Sequence, residues 1–568
     1  MKLFKQLLVA PAALGLMAPV AANAADMNVS GVSGYASVSH ETAAEEQVTS
    51  ITQFSDVYPT DWAYQALSNL IERYGCVAGY PNGTYRGNRA MTRFEAAALL
   101  NACLDRVTEV TDELKRLMKE FEKELAIVKG RVDGLEARVG ELEATQFSTT
   151  TKLSGTTTFV IGANSYGGDA DEVGQFGSNP ELNNSAKMAD LASRNLGATT
   201  FNYDIKFDLD TSFTGKDLLR TRLRAGNFQS SAFGFSASTG IRSPFGANTT
   251  YATPSGLEVA FEEGESLNID RIFYQFPIGS DFTVTAGGRV RQDDMLAVWP
   301  SAYPSDTVLD YFTYAGAPGA YSLNLGSGAG LWWSNDGFSI SANYVSTNGS
   351  DGNPNTGGIA TDGASGTGTV QLAYADSSWG IAAAYTYSSM NWGTVYESTA
   401  TPLATAVGLL GNSNNVGLSA WWQPENSGFI PSISAGWGLS STSGADDSTL
   451  FGYEFDSATS QSWYVGLQWS DVFLKGNNAG MAVGQQAFVT GIDLSGDPDT
   501  AAWRSSSVAE DNLARDGQYA WEFWYQFQVT DNISVTPALF YLSRPLGSAT
   551  QGESFNQFGG LVKTSFRF

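Results

Sequence analysis

Histidine is almost absent from this 568-residue chain, which holds one, His40, in a polar stretch rich in Ser, Thr and Glu. A Ser-His-Asp nucleophile system or a multi-histidine zinc site therefore has nothing to be built from. No cofactor motif stands out either, so neither a metal nor a cofactor is expected. Cysteine is nearly as scarce, with only Cys76 and Cys103, both in the first fifth of the chain. An oxidising compartment would permit a bridge between them, and a pair of buried unbridged thiols is the alternative. Basic residues are outnumbered, with 32 Lys and Arg against 58 Asp and Glu and a formal charge of −26. Nucleic acid is thereby disfavoured as a partner. After the N-terminal stretch no apolar run reaches the roughly eighteen residues that a membrane-spanning helix needs. A membrane protein made from this sequence must cross with strands closed into a barrel, because only closure pairs every strand's backbone groups in lipid.

What the chain has in quantity is glycine, 61 residues, and aromatics, 12%, with charged residues held to 16%. That balance suits a large β structure. Lys2 and Lys5, an apolar stretch from Leu7 to Val20, and Ala22-Asn23-Ala24 have the anatomy of a secretory signal peptide over 1–24, with the mature chain starting at Ala25. At the other end, Gly560, Val562, Thr564, Phe566 and Phe568 alternate with Leu561, Lys563, Ser565 and Arg567. A strand with one face on lipid and the other on a polar lumen has this period of two, with aromatics at the membrane boundary. The final aromatic strand also resembles the signal by which the outer-membrane barrel assembly machinery recognises its clients.

Behind a linker over 25–50, Phe54-Ser55-Asp56-Val57-Tyr58-Pro59 leads into Asp61-Trp62-Ala63 and a helix closed by Gly75. Gly79-Tyr80-Pro81-Asn82-Gly83 then forms a turn, and Thr92-Arg93-Phe94-Glu95 opens a second helix with capping-box spacing. In this order the four elements resemble the S-layer homology family over 51–107. Tyr58 before Pro59, Asn82 for the usual Asp and Phe94 for the usual Ala are departures. The resemblance implies noncovalent binding to peptidoglycan-linked polysaccharide, with Asp56, Trp62, Gly83 and Arg93 as candidate binding residues. A guanidinium at Arg93 suits a carboxylate or phosphate on an anionic glycan. Thr92 and Glu95 as helix caps and Trp62 as core are the structural alternatives.

Over 104–146 apolar residues recur at heptad spacing, from Leu104 and Val107 through Leu114, Met118, Phe121, Leu125, Val128, Val132, Leu135 and Val139 to Leu142, broken only at Thr111. The flanking pairs Glu124 with Lys129, Arg131 with Glu136 and Arg138 with Glu143 are opposite in sign. A parallel coiled coil is expected, on the order of 60 Å long; an amphipathic helix packed on its own barrel is the alternative, which would give the apolar stripe without requiring the three matched pairs. Porins are commonly trimers, so a homotrimer is the expected assembly, which would gather three copies of the single wall-binding module.

From 150 to 568 alternation gives about sixteen strands, starting near Ser154, Ala198, Leu218, Asn268, Phe282, Gly328, Gly337, Gly368, Trp379, Asn415, Ile430, Gln461, Gly480, Gln518, Asn532 and Gly559, joined alternately by short turns and long outer loops. The second strand sets Phe201, Tyr203, Ile205, Phe207 and Leu209 against Asn202, Asp204, Lys206, Asp208 and Asp210. The third carries Arg220, Arg222 and Arg224 on one face. The fifth turns Arg289 and Arg291 away from Phe282, Val284, Ala286 and Val290. These charged faces are expected to line a pore. A third outer loop, from about Gln292 to Ser327, contains Asp293, Asp294, Asp306 and Asp310 and is expected to narrow it, as inserted loops do in porins. Arginines facing such acids would create a transverse field that filters solutes by charge, and salt-bridged filler without a role in selectivity is the alternative.

The fold expected is mainly β, a transmembrane antiparallel β-barrel with a small α-helical S-layer homology domain and a parallel coiled coil. As a whole this order resembles the cyanobacterial outer-membrane porins, whose barrels are similar to the carbohydrate-selective porin family. That resemblance implies a protein set in outer-membrane lipid with its N-terminal domain in the periplasm. It further implies a non-enzyme that passes small hydrophilic solutes or inorganic ions, iron and sugars among them, and ties the membrane to the wall. The alternative is a structural tether whose barrel is plugged.

Overall fold

Alternation dictates strands here because each must show lipid an apolar face while its neighbours satisfy its backbone. The computed structural model describes residues 150–568 apart from 172–186, 243–249, 253–254, 263, 306–307, 391–398, 426–427, 451, 497–512 and 551. Before residue 150 it describes 51–53, 55–60, Tyr64, Ser68, Lys119 and Phe121. The chain divides into two units, Met1–Gln146 and Phe147–Phe568. In the first, Ile51–Gln53 forms a single 3-10 turn. The signal peptide, the linker, Cys76, Cys103 and nearly all of the heptad seam lie outside the described residues.

The second unit is a closed antiparallel barrel. Its strands are β1 (Thr151–Gly168), β2 (Thr200–Thr211), β3 (Leu218–Gly226), β4 (Asn268–Ile278), β5 (Phe282–Arg291) and β6 (Leu325–Asn335). They continue with β7 (Phe338–Ser346), β8 (Gly366–Ala375), β9 (Trp379–Ser388), β10 (Gly411–Trp422) and β11 (Ser432–Gly444). The circuit ends with β12 (Tyr453–Ser470), β13 (Asn478–Ser495), β14 (Tyr519–Thr530), β15 (Ile533–Ser543) and β16 (Phe555–Arg567). Each pairs with its sequence neighbour, and β1 also pairs with β16, which closes the wall. The two-residue strand Thr449–Leu450 only extends the outer end of β12.

The expected starts at Leu218, Asn268, Phe282 and Trp379 coincide with those observed. At β12 the strand begins at Tyr453 and not near Gln461, because register shifts between Phe455 and Ser457, Thr459 and Ser460, and Gln461 and Trp463 break the period of two. One end carries tight turns, such as Asp336-Gly337 with φ of 46° and 83°, the left-handed pair that matches strand twist. In the first of these turns Asp217 accepts hydrogen bonds from the Thr214 hydroxyl and amide, the Tyr274 hydroxyl and the Ser212 hydroxyl. Those donors hold its carboxyl below the usual range.

Two of the long loops at the other end turn inward. Loop 2 (227–267) buries Phe228, Phe233 and Leu257 against Val160, Phe540 and Leu561. Loop 3 (292–324) follows the inner wall and adds Tyr303, Tyr311 and Phe312 to the same apolar cluster, with Tyr464 and Trp524. The barrel's core is therefore its own lumen, filled on one side by chain. Glycines make room for this packing: a Cβ at Gly436 would lie 1.8 Å from the Ala315 carbonyl oxygen of loop 3.

Candidate functional site

The register of β2 on β3 sets Asp210 opposite Arg220, Asp208 opposite Arg222 and Lys206 opposite Arg224. Opposite positions on one face are close enough for ion pairs. Arg220 Nε and Nη2 donate to the two oxygens of Asp210 at 2.8 Å each. Arg222 grips Asp208 in the same bidentate way at 2.7 and 3.0 Å. Arg224 reaches diagonally to Asp204 at 2.6 Å, and Lys206 lies 3.6 Å from Asp204 and 3.7 Å from Glu258 of loop 2. These arginines thus meet their acids on the neighbouring strand and not across the lumen, because in an antiparallel ladder facing residues share a face.

On β4 the alternation breaks. Asp270 and Arg271 are both buried between the exposed Ile269 and Ile272, and the pairing with β3 shifts between Arg222 and Leu223. Arg271 Nε lies 3.1 Å from Asp294 at the start of loop 3. Arg291 pairs with Asp293 in a bidentate bridge, and its amide donates to Asp294 at 2.9 Å. The structure thereby gathers Asp204, Lys206, Asp208, Asp210, Arg220, Arg222, Arg224, Arg291, Asp293 and Asp294 with Glu258, Asp270 and Arg271 into one charged patch.

The expected face of β5 needs correction. A bulge between Gly287 and Val290 shifts its alternation, so Val290 is buried with Phe273, Met295 and Val345 while Phe282 is exposed. Arg289 stands in register with the exposed Ile272, its Nε donating to the Asp270 carbonyl at 3.2 Å. Asp310 is buried where loops 2 and 3 meet, its amide donating to Gly256 O at 3.0 Å. Asp306 lies outside the described residues, as do Trp62, Gly83 and Arg93, and Asp56 is half-buried.

Sequence reading missed Glu258, Asp270, Arg271 and the wall contacts of loop 3. Two consecutive charges between Ile269 and Ile272 are a visible bulge signal; Glu258 offers none. Many inner side chains of β7 to β11 are polar and buried, several of them bonded to loop 3. Ser341 accepts from Ala297 N, Thr386 donates to Ala320 O, and Ser434 accepts from Ala302 N and Tyr303 N. Among the described residues no cluster of His, Cys, Asp or Glu could hold a metal ion.

A family model described as carbohydrate-selective porin, OprB family, matches residues 109–568, and the S-layer homology domain matches 53–97. An uncharacterised protein of Nostoc sp. is 33% identical, with 92% of this chain and 86% of that protein covered. One of Synechocystis sp. is 30% identical, with 92% and 91% covered. The outer membrane protein SlpA of Deinococcus radiodurans is 34% identical over 107 residues, 17% of this chain and 9% of that protein. The high-pH structure of Pseudomonas putida OprB superposes with a TM-score of 0.44 at 13% identity, covering 76% of this chain and 96% of that one. The chain belongs to the carbohydrate-selective porin, OprB family, as an outer-membrane β-barrel porin with an S-layer homology domain before the barrel.

Proposed function

We propose that the barrel passes small hydrophilic solutes, sugars and inorganic ions among them, along a path bounded by the charged wall of β2 to β4 and by the edges of loops 2 and 3. One contrast carries this reading. Arg220, Arg222, Asp208 and Asp210 stay 20–29% exposed, whereas Ser341, Thr386 and Asn415 of the inner wall under loop 3 are at 0%. Water therefore reaches the charged ladder and not these polar side chains beneath loop 3. Guanidinium and carboxylate alternate along it, which offers hydroxyl-rich solutes both donors and acceptors at every step. Arg289 is left out of this path because of the β5 bulge.

The S-layer homology domain binds peptidoglycan-linked polysaccharide, with Asp56, Trp62, Gly83 and Arg93 as its contacts, and the heptad seam assembles a homotrimer. The second reading, a plugged barrel acting only as a tether, draws on the apolar cluster inside the lumen. Planar-bilayer recording of the purified full-length protein, with sugar-driven swelling of liposomes, separates the two. Discrete conductance steps and swelling support the channel. A correctly folded oligomer that gives neither supports the tether.

A further inference from the structure

At its far crossing loop 3 brings two donors onto one carboxylate, beside the Ser434 hydroxyl that accepts from Ala302 N and Tyr303 N. Glu522 sits on the inner face of β14 between the outward, exposed Trp521 and Phe523, and is itself almost fully buried. Its Oε1 accepts from the Tyr303 hydroxyl at 2.7 Å and its Oε2 from the Leu309 amide at 2.8 Å. Trp524 Nε1 in turn donates to the Tyr303 hydroxyl oxygen at 2.8 Å. Two loop donors, six residues apart, thus converge on the two oxygens of one side chain. A buried donor that loses its acceptor carries the full desolvation penalty, so the Tyr303 hydroxyl and the Leu309 amide each rely on Glu522.

The segment so held bears on the charged wall. Glu258 N donates to Val308 O at 3.2 Å and Asp310 N to Gly256 O at 3.0 Å, which joins loop 3 to loop 2 as a short ribbon. The loop 2 side of that ribbon carries Glu258, 3.7 Å from Lys206, and the Val259 carbonyl, which accepts from Arg224 at 3.3 Å. A continuous chain of contacts therefore runs from Glu522 through Leu309, Val308 and Glu258 to the ladder. We propose that Glu522 is a positioning residue for permeation: it latches the ribbon of loops 2 and 3 at a fixed distance from the β2 to β4 wall and so sets the aperture. The inference rests on the channel reading above.

The test uses the full-length protein in planar bilayers and sugar-loaded liposomes, comparing the parent with Glu522→Ala, Glu522→Gln and Tyr303→Phe. Glu522→Ala removes both acceptors and should raise single-channel conductance and admit larger sugars. Tyr303→Phe removes one donor and should do so less. Glu522→Gln keeps one acceptor and should fall nearest the parent. A second readout follows the ribbon itself. Val308→Cys alone should resist a water-soluble maleimide, and in the Glu522→Ala background it should react, scored on its own peptide because Cys76 and Cys103 are present in every sample. A folded Glu522→Ala protein with the parent's conductance, sugar limit and protection at 308 overturns the latch. If that variant does not fold, the same outcome in Tyr303→Phe overturns it. A parent that conducts nothing defeats the channel reading, and the labelling arm then decides the latch alone.

Discussion

Removing Arg220 and Arg222 together, as Arg220→Gln and Arg222→Gln, should turn the pore towards cations by an amount that can be worked out. Both arginines are partly exposed and each holds one aspartate, Asp210 and Asp208, so the double variant leaves two unmatched negative charges on a wetted wall. Arg224 is better left in place, because its partner Asp204 is only 2% exposed and would become a buried carboxylate beside Lys206. At about 10 Å in water one unit charge acts on a passing monovalent ion with about 0.4 kcal/mol, and two with about 0.8 kcal/mol. Screening at 0.1 M salt, where the Debye length is about 10 Å, reduces this to roughly 0.3 kcal/mol. A cation gains what an anion loses, so the permeability ratio should shift by roughly 0.6 kcal/mol, or about threefold. Reversal potential under a salt gradient reads this ratio directly. The shift should vanish near 1 M salt, where the Debye length is about 3 Å. A folded, conducting double variant with the parent's reversal potential at low salt would show that ions do not pass along this ladder.

Gly436→Ala should destabilise the barrel by about 1–3 kcal/mol through overpacking, because the new methyl meets the Ala315 carbonyl of loop 3; Gly491→Ala, with nothing within 4 Å, should leave thermal unfolding unchanged. Among the outer loops, Asp516 accepts from Thr401, Val489 N and Ser548 N, and burial pushes its carboxyl up to about 6. Because the folded value lies above the unfolded one, its contribution is complete below pH 4 or so and is lost as pH rises through about 6, on the order of 3 kcal/mol for a shift of about two units. Hydrogen exchange of β13 and the segment after β15 should therefore speed up from pH 4 to 7 beyond the intrinsic rate, and Asp516→Asn should abolish that pH step; an unaltered step in the variant would remove Asp516 as its source. Arg93→Ala should weaken retention on purified cell wall with the oligomer intact, and unchanged pull-down would return Arg93 to a structural role.

Much of the barrel was legible because its rule is local. β2 alternates cleanly from Phe201 to Asp210, so its charged face and its arginine-bearing neighbour could be read before any pairing was known. Legibility fails where a bulge resets the period, as at Gly287 to Val290 on β5, where one inserted residue turns Val290 inward. It fails again where the determinant is remote. Tyr303 and Glu522 are 219 residues apart, and no spacing links them until the barrel closes. The filled side of the lumen was hidden for the same reason: Phe233 and Phe540 look like ordinary apolar residues until an inward loop brings their rings to 6.3 Å.

Thiol block of introduced cysteines tests most directly whether solutes pass along the β2 to β4 wall. The parent, Arg222→Cys and Thr386→Cys would be recorded as full-length channels before and after a charged, water-soluble thiol reagent. Arg222 lies on the wetted ladder, whereas Thr386 is sealed beneath the Ala320 carbonyl. A drop in single-channel conductance is expected for Arg222→Cys alone. Block at Thr386→Cys, or an unchanged current through Arg222→Cys after confirmed modification, would contradict it.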